Sequence, residues 1–155
     1  MQVVDIEASG LDPQSYPIEV GVYDIDKPEE SFSFLIAPDT TWTHWDYNAQ
    51  DIHGLSRDYI EQDGISIHEA CSILNERLGD VVLSDAVPFE VMWLSRLFGT
   101  AGVEPKFAVS SILTQVHPSY YQELFGELDS GHRPHRALAD ARMIGEVVAK
   151  YRYTE

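Results

Sequence analysis

The chain has 155 residues, 44% of them hydrophobic, and its 10 basic and 26 acidic side chains give a formal net charge of −16 at pH 7. That length suits one domain able to bury about 70% of its unfolded surface, and no apolar run approaches the length of a membrane span. The acidity argues against a protein that grips long nucleic acid by counterion release.

The N-terminus enters a strand at once, without the basic region and apolar stretch of a signal peptide. The single cysteine, Cys71, cannot form an internal disulfide. Both features predict a cytoplasmic protein with no membrane partner, in which Cys71 is a small core residue. The first strand, Val3-Val4-Asp5-Ile6-Glu7-Ala8, sets Asp5 and Glu7 on one face and Val4, Ile6 and Ala8 on the other. Acids are depleted in strands, like charges side by side repel, and burying an unpaired carboxylate costs several kcal/mol. A positive group should therefore cover this face, most economically a divalent cation with oxygen ligands; the alternative is an edge strand with a solvated acidic side.

After the turn Gly10-Leu11-Asp12-Pro13, residues 16–25 alternate as a second strand, with Ile18, Val20, Val22 and Asp24 set against Glu19, Gly21 and Tyr23. Residues 31–37 read as a third strand, and the polar turn 26–30 makes the three an antiparallel meander. Residues 38–64 are irregular, rich in polar and aromatic side chains, and predict a long loop with short helical turns. Trp42, Trp45 and Tyr47 there suit loop or core packing better than base stacking. Residues 66–78 have helical spacing, with Ile67, Ala70, Cys71, Leu74 and Leu78 on one side and Gly79 placed to end them. A short strand at 81–84 precedes a helix that opens on Pro88, runs to about Phe98 and is broken by Gly99 and Gly102. Residues 106–110 form a candidate fifth strand, 118–128 a helix and 136–151 the last helix. Three antiparallel strands followed by alternating helices and strands predict an α/β domain with a mixed five-stranded sheet flanked by helices.

The last helix gathers Ala137, Ala141, Ile144, Val147, Val148 and Tyr151 on one face, with Asp140 inside that apolar stripe. An unpaired charge there is costly, so Asp140 either binds a partner or serves backbone donors of the first helical turn. His135 lies five residues earlier, and a histidine is the residue type suited to take a proton from an attacking water. The middle of the chain offers two further acids in Ser84-Asp85-Ala86-Val87-Pro88-Phe89-Glu90. Glu90 lies with Trp93, Leu94 and Leu97 on the apolar side of its helix, whereas Asp85 ends the strand, where turn residues bond nearby backbone.

Asp5-x-Glu7 near the start, an acid near the middle and His135-x4-Asp140 near the end resemble, in order and spacing, the DEDDh family of 3′ to 5′ exonucleases, over nearly the whole chain. Ile52-His53-Gly54-Leu55 also resembles the segment before that family's second motif. The resemblance implies a ribonuclease H-like fold, a cofactor pair of Mg²⁺ or Mn²⁺ ions, and hydrolysis of phosphodiesters from a 3′ end of single-stranded RNA or DNA. It implies that Asp5 bridges the metals, that Glu7, Asp140 and a central acid complete their shells, and that His135 is the general base. Leu11, Ile52 and His53 match positions that pack on the terminal nucleotide. The family's second motif usually ends in Phe-Asp. Here Phe89-Glu90 takes that place with a longer acid, which Asp85 could replace, and the longer side chain points to weaker activity or a preference for Mn²⁺. The acidic surface favours short strands, and the small size resembles family members that pair into homodimers. A ribonuclease H-type endonuclease, or a catalytically inactive nucleic-acid-binding or interaction module on the same scaffold, are the rival readings.

Overall fold

A five-stranded sheet in the order β3-β2-β1-β4-β5 forms the centre of the structure, a computed structural model that describes residues 1–154. Strands β1 (Gln2–Ala8), β2 (Pro17–Asp24) and β3 (Phe32–Leu35) form the antiparallel meander, while β4 (Val81–Ser84) and β5 (Ala108–Ser111) run parallel to β1. β1 is the middle strand, so Asp5 and Glu7 do not lie on a solvated edge. Its alternation sorts side chains into two cores. Val4, Ile6 and Ala8 pack with Cys71, Leu74, Trp93 and Leu97 on one face, and Val3 joins Ala141, Ile144 and Val148 on the other. Cys71 is fully buried there, and burial pushes its thiol up to about 11, in keeping with an inert core residue.

Residues 38–64 are a long connection with short helical turns, as their composition predicts. They carry two seven-residue helices, α1 (Tyr47–His53) and α2 (Arg57–Asp63). Each is started by a side-chain cap, Asp46 accepting from the Asn48 amide and Ser56 from the Tyr59 amide, and Gly54 closes α1 at φ 74°. Trp42 is buried, stacked on Tyr16 at 5.1 Å and donating to Thr100, as a packing residue should. Trp45 meets the ring of His53 edge-on, and Tyr47 is exposed.

The remaining helices are α3 (Ile67–Arg77), α4 (Val87–Ala101), α5 (Tyr121–Ser130) and α6 (Ala137–Tyr151). α4 runs through Gly99 instead of stopping near Phe98. One glycine costs a helix about 1 kcal/mol, which the buried Trp93, Leu94, Leu97 and Phe98 offset, and Gly102 at φ 70° terminates it. β5 starts two residues later than expected because Asn75 takes the Lys106 amide. The helix expected from Pro118 opens with a 3₁₀ turn, and α5 follows from Tyr121. No described helix is long and apolar enough to cross a membrane.

α6 crosses β2 at glycine distance. A Cβ on Gly21 would lie 2.3 Å from the Ala137 carbonyl carbon and the Leu138 nitrogen, and one on Gly145 would lie 2.5 Å from the Tyr23 ring. Gly21 is the cross-strand partner of Asp5, so this close approach sets the start of α6 over the first acid.

Candidate active site

Ligands of open α/β sheets bind in the crevice outside the carboxyl ends of parallel strands. At those ends of β1 and β4 lies a cleft of about 420 Å³. Asp5 and Glu7 from β1, Asp85 and Glu90 from the start of α4, and His135 and Asp140 from the entry to α6 all line it. Leu11, Ile52 and His53 line it too, so all nine residues singled out from the sequence converge on one cavity. Leu11 and Ile52 are exposed apolar side chains, and Phe89 adds a third beside them.

The acids are held against their ordinary chemistry. Asp5 is 6% exposed and its Oδ2 has no hydrogen-bond partner among the described residues. Burial first, then the charges of Glu7, Glu90, Asp140 and Asp85, hold its carboxyl well above the usual range. Glu7 is pushed up to about 8 by burial and then by Asp140 and Glu19. Glu90 is pushed up to about 7 by burial, against a hydrogen bond from the Ser84 hydroxyl. Burial also raises Asp140, opposed by the His135 amide, which donates to its Oδ1 at 3.2 Å. Glu7, His135 and Asp140 each offer a ligand atom within 4.8 Å of the others. An orphaned buried oxygen among raised carboxyls is a donor set that suits divalent cations, whose charge would return every acid to its ionised form.

This arrangement sets a pH dependence. A carboxyl whose native pKa lies above its unfolded value binds protons more tightly when folded, so its favourable contribution is complete at low pH and is lost as pH rises through the native pKa. Glu90 and Glu7 place that loss between about 4.5 and about 7 and about 8, respectively. Chelator-treated protein should therefore melt several degrees lower at about pH 9 than at about pH 6. Saturating Mg²⁺ should shrink the difference, which thermal scans in both conditions would measure.

The two middle acids differ. Glu90 is 2% exposed and takes the Ser84 hydroxyl, while Asp85 is engaged by Arg133, whose Nη2 lies 2.5 Å from its Oδ2. Asp140 does serve a backbone donor, that of His135, and lines the cleft as well. His135 itself is exposed and sits at φ 58°, the one left-handed non-glycine among the described residues. Such a conformation at a site is a mark of constraint. It turns the chain from the 131–134 loop into α6.

Three contributors escaped the sequence reading. Glu19 is 3% exposed, receives Nε and Nη2 of Arg136, and accepts from the Ala137 amide at 2.8 Å, so it supplies the cap that α6 lacks in its own first residues. Gly21 admits the helix backbone, and Arg133 brings a guanidinium to the cleft. Their signals were present: an acid and a glycine inside a strand that is buried throughout, and an arginine two residues before His135. The Asp12–His44–Ser9 chain of hydrogen bonds, 2.9 Å at each link, fastens the turn after β1 to the 38–46 loop.

No family model and no curated protein sequence matches this chain. Solved structures do. E. coli Exonuclease I in complex with a dA16 oligonucleotide superposes at TM-score 0.73 with 13% identity over 96% of this chain and 40% of that one. Exonuclease I from Methylocaldum szegediense gives 0.71 and 16% over 94% of this chain and 38% of that one. The nuclease domain of 3′hExo, a DEDDh family member bound to rAMP, gives 0.71 and 17% over 96% of this chain and 89% of that domain. The chain thus spans about two fifths of the Exonuclease I chains and nearly the whole 3′hExo domain. With its mixed sheet and the cleft at the ends of β1 and β4, the chain has the ribonuclease H-like fold of these exonuclease domains.

Proposed function

We propose that the protein is a DEDDh-type, divalent-metal-dependent 3′ to 5′ exonuclease acting on short single strands of RNA or DNA. The observation that carries this reading is the convergence of Asp5, Glu7, Glu90, Asp140 and His135 on one cleft, with a buried Asp5 oxygen left without a partner. Asp5, Glu7, Glu90 and Asp140 would hold two Mg²⁺ or Mn²⁺ ions. When bound, such a pair supplies Lewis-acid stabilisation of the attacking and leaving oxygens of an in-line displacement. His135, exposed at the cleft and fixed through its backbone to Asp140, takes the proton of the attacking water on its imidazole. Leu11, Ile52 and Phe89 form an apolar wall on which the terminal nucleotide packs, with His53 buried behind it.

Digestion of 5′-labelled single-stranded RNA and DNA oligomers with Mg²⁺, Mn²⁺ or chelator tests the proposal. Stepwise shortening from the 3′ end that requires metal is expected. Internal fragments would favour the endonuclease, and intact strands with either metal the inactive binding module. His135→Asn keeps a residue that tolerates left-handed backbone but removes the base. Its hydrolysis should fall about 100-fold or more, while Mg²⁺ affinity measured by calorimetry stays within error of the parent. Weakened Mg²⁺ binding would instead make His135 a ligand.

A further inference from the structure

Arg133 has no role in the chemistry above, yet it is the one lysine or arginine among the described residues that lines the cleft. Of the nine other lysines and arginines, Arg136 is drawn to Glu19, Arg57 to Glu61, Arg142 to Glu146, Lys150 to Glu127 and Arg152 to Asp26. A chain of net charge −16 that receives a phosphodiester in a cleft lined by six acids gains from positive charge at the phosphate itself. Arg133 is placed to give it. It leaves the 131–134 loop two residues before His135, and among the described residues Asp85 is its one hydrogen-bond partner. A guanidinium carries five donors in a planar fork that matches phosphate oxygens, so one bond to Asp85 leaves most of the fork for a ligand. The pair is partly buried, with side chains 30% and 13% exposed.

We propose that Arg133 is the phosphate-binding residue of this site and that Asp85 is its positioning residue, not a metal ligand. This rests on the exonuclease reading and deepens it in two ways. Glu90 becomes the central acid of the metal set, because the Asp85 carboxylate faces Arg133 while Glu90 is buried at the cleft. Recognition also becomes confined to the terminal phosphate, because among the described residues no second lysine or arginine lines the cleft to grip the next one. One phosphate contact gives a salt dependence of binding near −0.7 in log–log slope, and affinity should not grow with strand length beyond the first few nucleotides.

Titration of AMP and of adenosine into the protein in Mg²⁺, with Mg²⁺ alone titrated separately, tests the assignment. The parent should bind AMP at least about tenfold tighter than adenosine. Arg133→Gln should weaken AMP about tenfold while adenosine affinity and melting temperature hold, and Arg133→Lys should recover part of that loss as a point charge without the fork. Asp85→Asn should weaken AMP and leave Mg²⁺ alone unchanged. If Arg133→Gln binds AMP as the parent does, or Asp85→Asn loses Mg²⁺, the assignment is overturned while the exonuclease reading stands. If the parent binds neither Mg²⁺ nor AMP, both fall together.

Discussion

Asp5→Asn should raise the melting temperature of the metal-free protein and at the same time cut hydrolysis about a thousandfold. The two effects share one cause. Asp5 is buried, its Oδ2 is unpartnered, and four further carboxylates raise its pKa. The native fold therefore carries this side chain at a cost, which a neutral amide of the same shape removes and partly converts into hydrogen bonds donated to the neighbouring acids. The gain should be about 1–3 kcal/mol, or roughly 2–4 °C per kcal/mol for a chain of this size. Catalysis should fall by about 4 kcal/mol of transition-state stabilisation, roughly a thousandfold, if Asp5 is the shared metal ligand. Thermal scans with chelator and with Mg²⁺ would show both halves, since the variant should also lose the stabilisation that Mg²⁺ gives the parent. A variant that is destabilised but active would make Asp5 a structural residue.

Gly21→Ala is expected to damage stability and activity together, through a residue that touches no ligand. Its Cβ would meet backbone atoms of Ala137 and Leu138 at 2.3 Å, and backbone, unlike the end of a flexible side chain, cannot step aside. Either α6 tilts away from β2 or the strand bends, and overpacking of this kind costs about 1–3 kcal/mol. The start of α6 also carries Asp140, lies two residues after His135 and is capped by Glu19 from the same strand as Gly21. A displacement of about 1 Å at a catalytic constellation costs on the order of 100-fold in rate. The discriminating comparison is Gly145→Ala, whose clash is with the Tyr23 and Ile25 side chains further along the helix. It should cost stability with a much smaller loss of rate. Equal rate losses in the two variants would mean that the position of α6 over Asp5 is not what Gly21 protects.

What the sequence disclosed was whatever local periodicity encodes. The face shared by Asp5 and Glu7 follows from strand alternation, and the misplaced acids Asp140 and Glu90 follow from a helical wheel; each needs only a few neighbouring residues. Leu11, Ile52 and His53 came from family resemblance alone, and the cleft collects them because the 38–46 loop is fastened to the turn after β1. Glu19 was read simply as the alternate side of β2. Its actual place, capping a helix 117 and 118 positions away through Arg136 and Ala137, depends on the β1–β2 register and the crossing of α6. The Arg133–Asp85 pair likewise spans 48 positions and has no local signature. α1 and α2 are too short for periodicity to register; their legible marks were the capping residues Asp46 and Ser56.

The central claim is that the carboxylates gathered by β1, α4 and α6 exist to hold divalent cations. The most direct measurement is anomalous scattering at the manganese edge from crystals grown with Mn²⁺ and AMP. Two peaks about 4 Å apart inside the cleft, both in contact with Asp5, are the expected result. Peaks confined to surface carboxylates, or none at all in crystals whose cleft holds AMP, would contradict it.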